Sequence, residues 1–279
     1  MADVNQVVQM VAGGKRATAA LTVSQILSQE SVKKRFEDMM GRSAPAFISS
    51  IISLTSMDKN LSACDPKSVV SAAALAATLN LPVNKSLGFA WVIPYKGRAE
   101  FQMGYKGFVQ LAIRTGQYKT MNASEIYADE IKTWNPITGV IEFTPMETWK
   151  QREAAQTGSI VGYVAFFKLN NGFEKYLYMS NAQVEAHAKR YAQSFSSSNG
   201  KWKTDFGAMA KKTVLKLILS KYGVLSIEMQ RAMAADQGVV KDFDSATNKD
   251  AEPMVDFTDA VMVDGEAEGT AIEPTTEPK

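Results

Sequence analysis

Residues 94–116 read PYKGRAEFQMGYKGFVQLAIRTG, and the rest of the chain is organised around them. They open at the end of an apolar strand, turn at Lys96-Gly97 and continue as a second short strand over residues 99–103. A helix then begins at about residue 104 and ends at Gly116, because glycine readily adopts the left-handed conformation common at helix ends. The stretch therefore predicts a β-hairpin followed directly by a helix.

The predicted helix is amphipathic, with apolar residues at helical spacing along one face. The opposite face carries three side chains four residues apart: Lys106, Gln110 and Arg114. With Lys96 and Arg98 in the preceding turn, this row would present regularly spaced donors to the phosphates of a polyanion. Such spacing also marks ordinary solvated helix faces, so the row alone leaves both interpretations open.

Glycines and aromatic rings in the same region would also suit a nucleic acid. Gly104 and Gly107 lack side chains, so the backbone of a bound strand is expected to approach them closely. Aromatic rings offer faces on which bases stack regardless of sequence. Three rings are expected to pack in the core instead: Trp91, Phe101 and Phe108. For three others, stacking and core packing stay equally open: Tyr105, Phe195 and Trp202.

A second basic region lies in a helix predicted from about residue 204 to 221. Lys212 and Lys216 are one helical turn apart, Lys211 adjoins them, and Lys203 lies just upstream. Together with the first region they could form a groove for a polyanion.

Composition is typical of an intracellular globular protein. The 279 residues can bury a good core, and no apolar run approaches the roughly 18 residues of a membrane helix. Residues 1–14 lack the pattern of a signal peptide. Cys64 is the one cysteine, so no internal disulfide forms, and His187, the one histidine, has no Cys or His companions for a zinc site.

The overall charge of +2 hides a strong division between two parts of the chain. Residues 241–279 contain three Lys/Arg and eleven Asp/Glu, a net charge of −8. Residues 1–240 contain 28 Lys/Arg and 18 Asp/Glu, a net charge of +10. A basic body with an acidic tail suggests a nucleic-acid partner.

Patterning divides the chain into three segments. Residues 1–29 are small, polar and weakly periodic, which predicts a flexible N-terminal arm. Residues 30–238 mix helical and strand patterns, with a strong hairpin turn at Asn170-Asn171-Gly172, and predict an α+β core. Residues 239–279 carry scattered Asp and Glu with little periodicity, which predicts a disordered acidic tail.

Catalytic motifs are sparse. The sequence has no GxxxxGK[ST] phosphate loop, no GxGxxG after a strand and no GxSxG elbow. One metal-dependent interpretation stays open, in which Asp129 and Glu130 hold Mg²⁺ within a restriction-type nuclease core, because Glu130-Ile131-Lys132 fits its ExK part. The alternative is a strand whose outward charges pair across a sheet.

Two separated motifs carry a family resemblance. The first runs from LNLP at residues 79–82 through Pro94-Tyr95 to FQMGYKG at 101–107 and RTG at 114–116. The second joins Trp202 to MAKKTV at residues 209–214. Both motifs and their spacing resemble the RecT family of phage single-strand annealing proteins, the RecT/Redβ-type recombinases. The resemblance covers about residues 35–235 and leaves the arm and tail uncovered.

The resemblance implies an annealing protein without covalent chemistry, which binds single-stranded DNA and anneals it to a complementary strand in phage homologous recombination. It implies a small bent antiparallel sheet with packed helices, assembly into rings or helical filaments, and action at the nucleoid in the cytoplasm of a bacterial host. The resemblance also implies that residues 30–238 form the DNA-binding, annealing and oligomerisation core, that neither ATP nor another cofactor is required, and that Mg²⁺ acts at most as a modulator. The residues it assigns to the DNA and its annealed duplex intermediate are Lys106, Gln110, Arg114, Lys211, Lys212 and Lys216, followed by Lys96, Arg98, Lys119, Lys203 and Tyr105.

The acidic tail carries a separate hypothesis, because two apolar patches interrupt its charge. It is expected to bind a host single-strand-binding protein or a phage exonuclease, or to close the groove when DNA is absent.

Two alternatives to annealing also stay open: the Mg²⁺-dependent nuclease using Asp129 and Glu130, and a structural oligomer that holds nucleic acid only through unspecific charge.

Overall fold

A computed structural model describes residues 21–155, 157–192, 195–198, 200–236, 239–240, 243–247 and 255–256. Among these residues, helices pack around small antiparallel sheets, which confirms the α+β class predicted from the sequence. Residues 1–20 and 257–279, which hold most of the predicted arm and much of the predicted tail, lie outside this described part.

Five α-helices precede the first strand within the described residues. They are α1 (Val23–Leu27), α2 (Glu30–Met40), α3 (Ala44–Met57), α4 (Lys59–Ser62) and α5 (Pro66–Thr78). α5 lies at the centre of this layer, since all its residues from 68 to 77 are buried. The Asp65 carboxylate caps α5 by accepting hydrogen bonds from the amides of Lys67 and Ser68, and Pro66 occupies the first turn.

Three small antiparallel sheets follow among the described residues. The hairpin β1 (Ala90–Tyr95) and β2 (Arg98–Met103) runs into α6 (Tyr105–Arg114), as residues 94–116 predict. A three-stranded sheet has the order β3-β6-β7, formed by β3 (Tyr118–Tyr127), β6 (Ile160–Leu169) and β7 (Glu174–Ser180). A second hairpin, β4 (Ile131–Asn135) and β5 (Val140–Phe143), and the short helix α7 (Lys150–Glu153) connect β3 to β6.

The remaining elements cover one face of the sheet and close the core. They are α8 (Asn181–Tyr191), α9 (Lys201–Thr204), α10 (Phe206–Tyr222), α11 (Ile227–Ala235), β8 (Val239–Val240), α12 (Phe243–Thr247) and β9 (Val255–Asp256). α10 crosses β3, β6 and β7, and it buries Val214, Leu215, Ile218 and Leu219 completely. Across the described residues, no helix combines the length and the apolar character needed to cross a membrane.

The folded body extends beyond both boundaries predicted from composition. Val23 and Leu27 of α1 are buried in the core, although residues 1–29 were assigned to a flexible arm. Ala246 of α12 is fully buried, and its carbonyl accepts a 3.1 Å hydrogen bond from Arg231, although the tail was expected to begin at 239. A few buried apolar residues anchor each segment. Their periodicity is too weak for the sequence to predict that these segments pack on the core.

Gly104 and Gly107 allow close packing within the protein itself. A Cβ atom at residue 104 would lie 2.0 Å from the carbonyl oxygen of Gly88, and one at residue 107 would lie 2.2 Å from that of Phe89. The start of α6 therefore packs directly on the protein backbone that leads into β1. The expectation that these glycines admit the backbone of a bound strand is wrong, because another part of the chain already occupies that space.

Candidate nucleic-acid interface

The hairpin β1–β2 separates a buried face from a polar face. Ala90, Val92, Phe101 and Met103 are at most 1% exposed and belong to the core, with β2 packed on α5. Because successive strand residues point to opposite faces, the other face carries a different set of side chains: Trp91, Ile93, Tyr95, Arg98, Glu100 and Gln102. This polar face, together with α6, is the candidate interface.

The outward row of α6 has three members with different environments. Lys106 is exposed and makes no hydrogen bond or ion pair with the described residues. Gln110 is half-buried. The Arg114 guanidinium donates to the carbonyls of Leu79 and Asn80, at 2.6 and 2.8 Å, just after the end of α5. Arg114 therefore satisfies carbonyls at a helix end, whereas Lys106 is available to an anion.

Lys212 of α10 reaches the polar face from the side. It is 8% exposed, and its ammonium lies 5.9 Å from the centre of the Trp91 ring. Burial lowers the pKa of Lys212, and the nearby charge of Lys216 adds to this, while Asp236 opposes it. The structure therefore brings Lys212 next to Trp91 in the first basic region, but in a buried position.

Lys216, one turn further along α10, is held by Asp236. Its ammonium lies 2.7 Å from one carboxylate oxygen of Asp236, and the other oxygen accepts a 2.8 Å hydrogen bond from the amide of Met103. Burial alone would raise the pKa of Asp236, but Lys216 and Lys212 lower it overall. No sequence pattern indicates the role of Asp236, because it lies 133 residues from Met103 in the chain.

Glu100 is a second buried carboxyl that sequence analysis did not place in the site. It is 2% exposed on β2, and burial raises its pKa to about 7, with the charge of Asp236 adding to the rise and a hydrogen bond from Gln102 opposing it. Two carboxyls, Glu100 and Asp236, therefore lie near each other at this face, and the charges of Lys216 and Lys212 act on Asp236.

Lys211 points away from this cluster. Its ammonium lies 3.2 Å from Glu125 on β3, and Arg152 also contacts the Glu125 carboxylate. Lys211 and Lys212, which are neighbours on α10, therefore point in different directions, because successive helical positions are rotated by about 100°. The structure brings Lys106 and Lys212 together, while Lys211 lies over the three-stranded sheet.

The second-choice residues are spread over several elements. Lys96 lies 5.3 Å from the Tyr95 ring, and Lys203 lies 5.2 Å from the Phe195 ring. Lys119 is exposed on β3, Arg98 lies on the polar face of the hairpin, and Tyr105 packs half-buried against the core. Only Arg98 and Lys96 among them belong to the hairpin that forms the candidate interface.

The aromatic expectations are partly wrong. Phe101 and Phe108 are fully buried, as predicted, but Trp91 is half-buried on the polar face. Trp202, for which both interpretations were open, is 5% exposed and packs edge-on against Phe206. Alternation along β1 explains Trp91, since Ala90 and Val92 already occupy the core face.

Trp91 and Lys106 meet at Gly88. A Cβ atom built on Gly88 would lie 3.8 Å from Cδ of Lys106 and 3.9 Å from Cζ2 of Trp91. Gly88 has a φ angle of +73°, which favours glycine there. The side chain of Lys106 and the half-buried Trp91 ring therefore both adjoin Gly88, and the buried ammonium of Lys212 lies over the same ring.

The carboxylates of the nuclease alternative are already engaged by the protein. Glu130 is fully buried, and both of its oxygens accept hydrogen bonds from the Arg152 guanidinium. Asp129 accepts a 2.9 Å hydrogen bond from the amide of Gln151 at the start of α7. No cluster of three or more His, Cys, Asp or Glu suited to a metal ion occurs among the described residues. Arg152 thus occupies the position beside Glu130 that a cation would need.

Comparisons with known proteins add independent findings. The model of the RecT family matches residues 45–253. "Uncharacterized protein YqaK" of Bacillus subtilis is 45% identical over 235 residues, which cover 84% of this chain and 79% of that protein. "Protein RecT" of Escherichia coli is 30% identical over 239 residues, which cover 80% of this chain and 84% of that protein. The family match, like the packed helix α12, runs past residue 238.

Proposed function

Since this chain belongs to the RecT family, we propose that it binds single-stranded DNA and anneals it to a complementary strand during homologous recombination, without ATP. The observation that carries the proposal in the structure is the convergence of Lys106, Trp91 and Lys212 at the polar face of β1–β2. This combination of cations and an outward aromatic ring suits a polymer of phosphates and bases.

The proposed mechanism follows from electrostatics. Two DNA strands repel each other, so a protein that anneals them must neutralise phosphates while leaving the base edges free. Lysines that contact the backbone do this and release counterions, which makes binding weaken steeply as salt rises. Contacts to phosphates carry no sequence information, so the sequence is read by base pairing between the strands.

We also propose how copies of the chain assemble on DNA and what the acidic tail binds. One chain offers a single Lys106–Trp91 site, and a long strand therefore requires many copies side by side, as in a ring or helical filament. We place the protein with the DNA of a bacterial host cell. The acidic tail, residues 239–279, is proposed to bind a host single-strand-binding protein or a phage exonuclease, because its net charge of −8 over residues 241–279 suits a basic surface on a partner.

Annealing of two complementary labelled oligonucleotides tests the proposed function. We expect the wild-type chain to speed annealing without ATP, with Mg²⁺ changing only the extent, and with both strands keeping their full length. Lys106→Glu removes a phosphate contact and adds repulsion, so annealing should slow by about tenfold or more at low salt.

Lys34→Glu is the matched control, because Lys34 is exposed on α2, a helix that packs on α3 and α5. Its annealing rate should stay close to that of the wild type. Absence of annealing at every salt concentration would refute the proposal, and shortening of the strands in Mg²⁺ would support the nuclease instead.

A further inference from the structure

The Trp91 indole is held in place from several sides. Its ring N–H lies 3.4 Å from the carbonyl oxygen of Lys85, to which it donates a hydrogen bond. The Lys85 ammonium is itself fixed by Asp58 at 2.5 Å. On the neighbouring strand, Trp91 pairs with Gln102, which offers little apolar surface to cover the ring. A large aromatic ring is therefore oriented firmly yet left half-exposed.

The buried ammonium of Lys212 is the second unusual feature of this place. It is more than nine-tenths buried and makes no hydrogen bond with the described residues. A buried ammonium without acceptors is costly, and here the charge of Asp236 and the Trp91 ring partly offset that cost. An anion bound beside Trp91 would add a second favourable charge near the Lys212 ammonium, beside that of Asp236.

Gly88 has no side chain, and a Cβ atom there would contact both Lys106 and Trp91, so these two side chains lie on the same part of the surface. A ligand that binds at this site would need a flat aromatic surface that stacks on the indole and an adjacent negative charge that contacts Lys106. A nucleotide within single-stranded DNA has both, since its base is planar and its phosphate lies next to it. A phosphate polymer without bases would contact only Lys106.

We propose that Trp91 stacks on a base of single-stranded DNA, with Lys106 contacting an adjacent phosphate and Lys212 holding the indole from its buried side. The proposal rests on the proposed function and deepens it, because it names the residue that contacts bases. Stacking uses the face of a base and leaves its pairing edge free. Trp91 therefore orders the strand without blocking its complement.

Intrinsic fluorescence combined with anisotropy of a labelled thymidine oligonucleotide tests the proposal. We expect DNA to quench the wild-type fluorescence and expect the quenching to disappear in Trp91→Phe, which keeps a smaller ring and binds only slightly more weakly. Trp91→Ala should lose about 5- to 150-fold in affinity, the range measured for stacking of one base. Trp149→Phe is the control, because Trp149 lies beside Thr144 on the connection after β5.

An abasic oligonucleotide of the same length separates stacking from charge without any substitution. The proposal predicts that it binds the wild-type chain but does not quench the fluorescence. If Trp91→Ala unfolds, which circular dichroism would show, Trp91→Phe and the abasic strand still decide the matter. Quenching that persists in Trp91→Phe, or that is equal with the abasic strand, overturns the role of Trp91 while annealing stands. No binding of any oligonucleotide by the wild type overturns both proposals.

Discussion

Replacement of Arg152 by methionine is expected to lower the free energy of unfolding by about 3–5 kcal/mol. Glu130 is fully buried, and the Arg152 guanidinium is its charge partner, with the amide of Tyr127 donating a further hydrogen bond at 2.9 Å. The guanidinium also donates to the carbonyl of Glu125 at 2.7 Å and lies 5.0 Å from the Tyr127 ring. Without Arg152, a buried carboxylate would be left without a cation.

Urea unfolding at pH 7 measures this effect, with Lys150→Met as the matched control. Lys150 lies on the same short helix, is exposed and makes no ion pair with the described residues. Its replacement should change the free energy of unfolding by less than about 0.5 kcal/mol. Glu130→Gln combined with Arg152→Met should recover part of the loss, because the unpaired charge is then absent. A loss below about 1 kcal/mol in Arg152→Met alone would show that Glu130 does not depend on this guanidinium.

Gly104→Ala is the second substitution with a large expected effect. The new methyl group would lie 2.0 Å from the carbonyl oxygen of Gly88, and Gly104 also donates a 2.8 Å hydrogen bond to the carbonyl of Phe89. Both obstacles are backbone, so relief requires the start of α6 and the chain before β1 to separate. We expect a loss of about 3 kcal/mol or more, at the upper end of overpacking effects.

Thermal unfolding tests this expectation against Gly158→Ala, whose Cβ atom meets no atom within 4 Å. For a chain of this size, a loss of about 3 kcal/mol corresponds to a fall in Tm of roughly 6–12 °C. The control should keep its Tm within about 2 °C. Equal Tm values for Gly104→Ala and Gly158→Ala would contradict the close packing of α6 on Gly88.

Local patterns predicted the elements around the candidate interface well. The helix predicted from about residue 104 to 115 is α6, Tyr105–Arg114, and the Lys96-Gly97 turn joins β1 to β2. Asp65 and Pro66 mark the start of α5, since a capping carboxylate followed by proline is typical of a helix N-terminus. These features depend on neighbours within a few residues of one another, so the sequence contains most of the information that specifies them.

Contacts between residues that are distant in the chain could not be predicted from sequence patterns. Nothing in the spacing of Lys216 indicates that Asp236 holds it, or that Arg152 reaches back to Glu130. Trp91 was expected in the core because a tryptophan in an apolar run usually packs there, yet its strand turns it to the polar face. Helical spacing showed that Arg114 faces outward, but only the fold shows that it meets the end of α5.

Equilibrium binding of a thymidine oligonucleotide over a range of salt concentrations tests the central claim most directly. If DNA phosphates lie beside Lys106, Lys106→Ala should bind more weakly at low salt. Its plot of log affinity against log salt should be shallower by about 0.7, the value for one single-strand phosphate contact. Lys34→Ala, altered on α2, should keep both the affinity and the slope of the wild type. The same affinity and slope in Lys106→Ala as in the wild type would contradict an interface on α6.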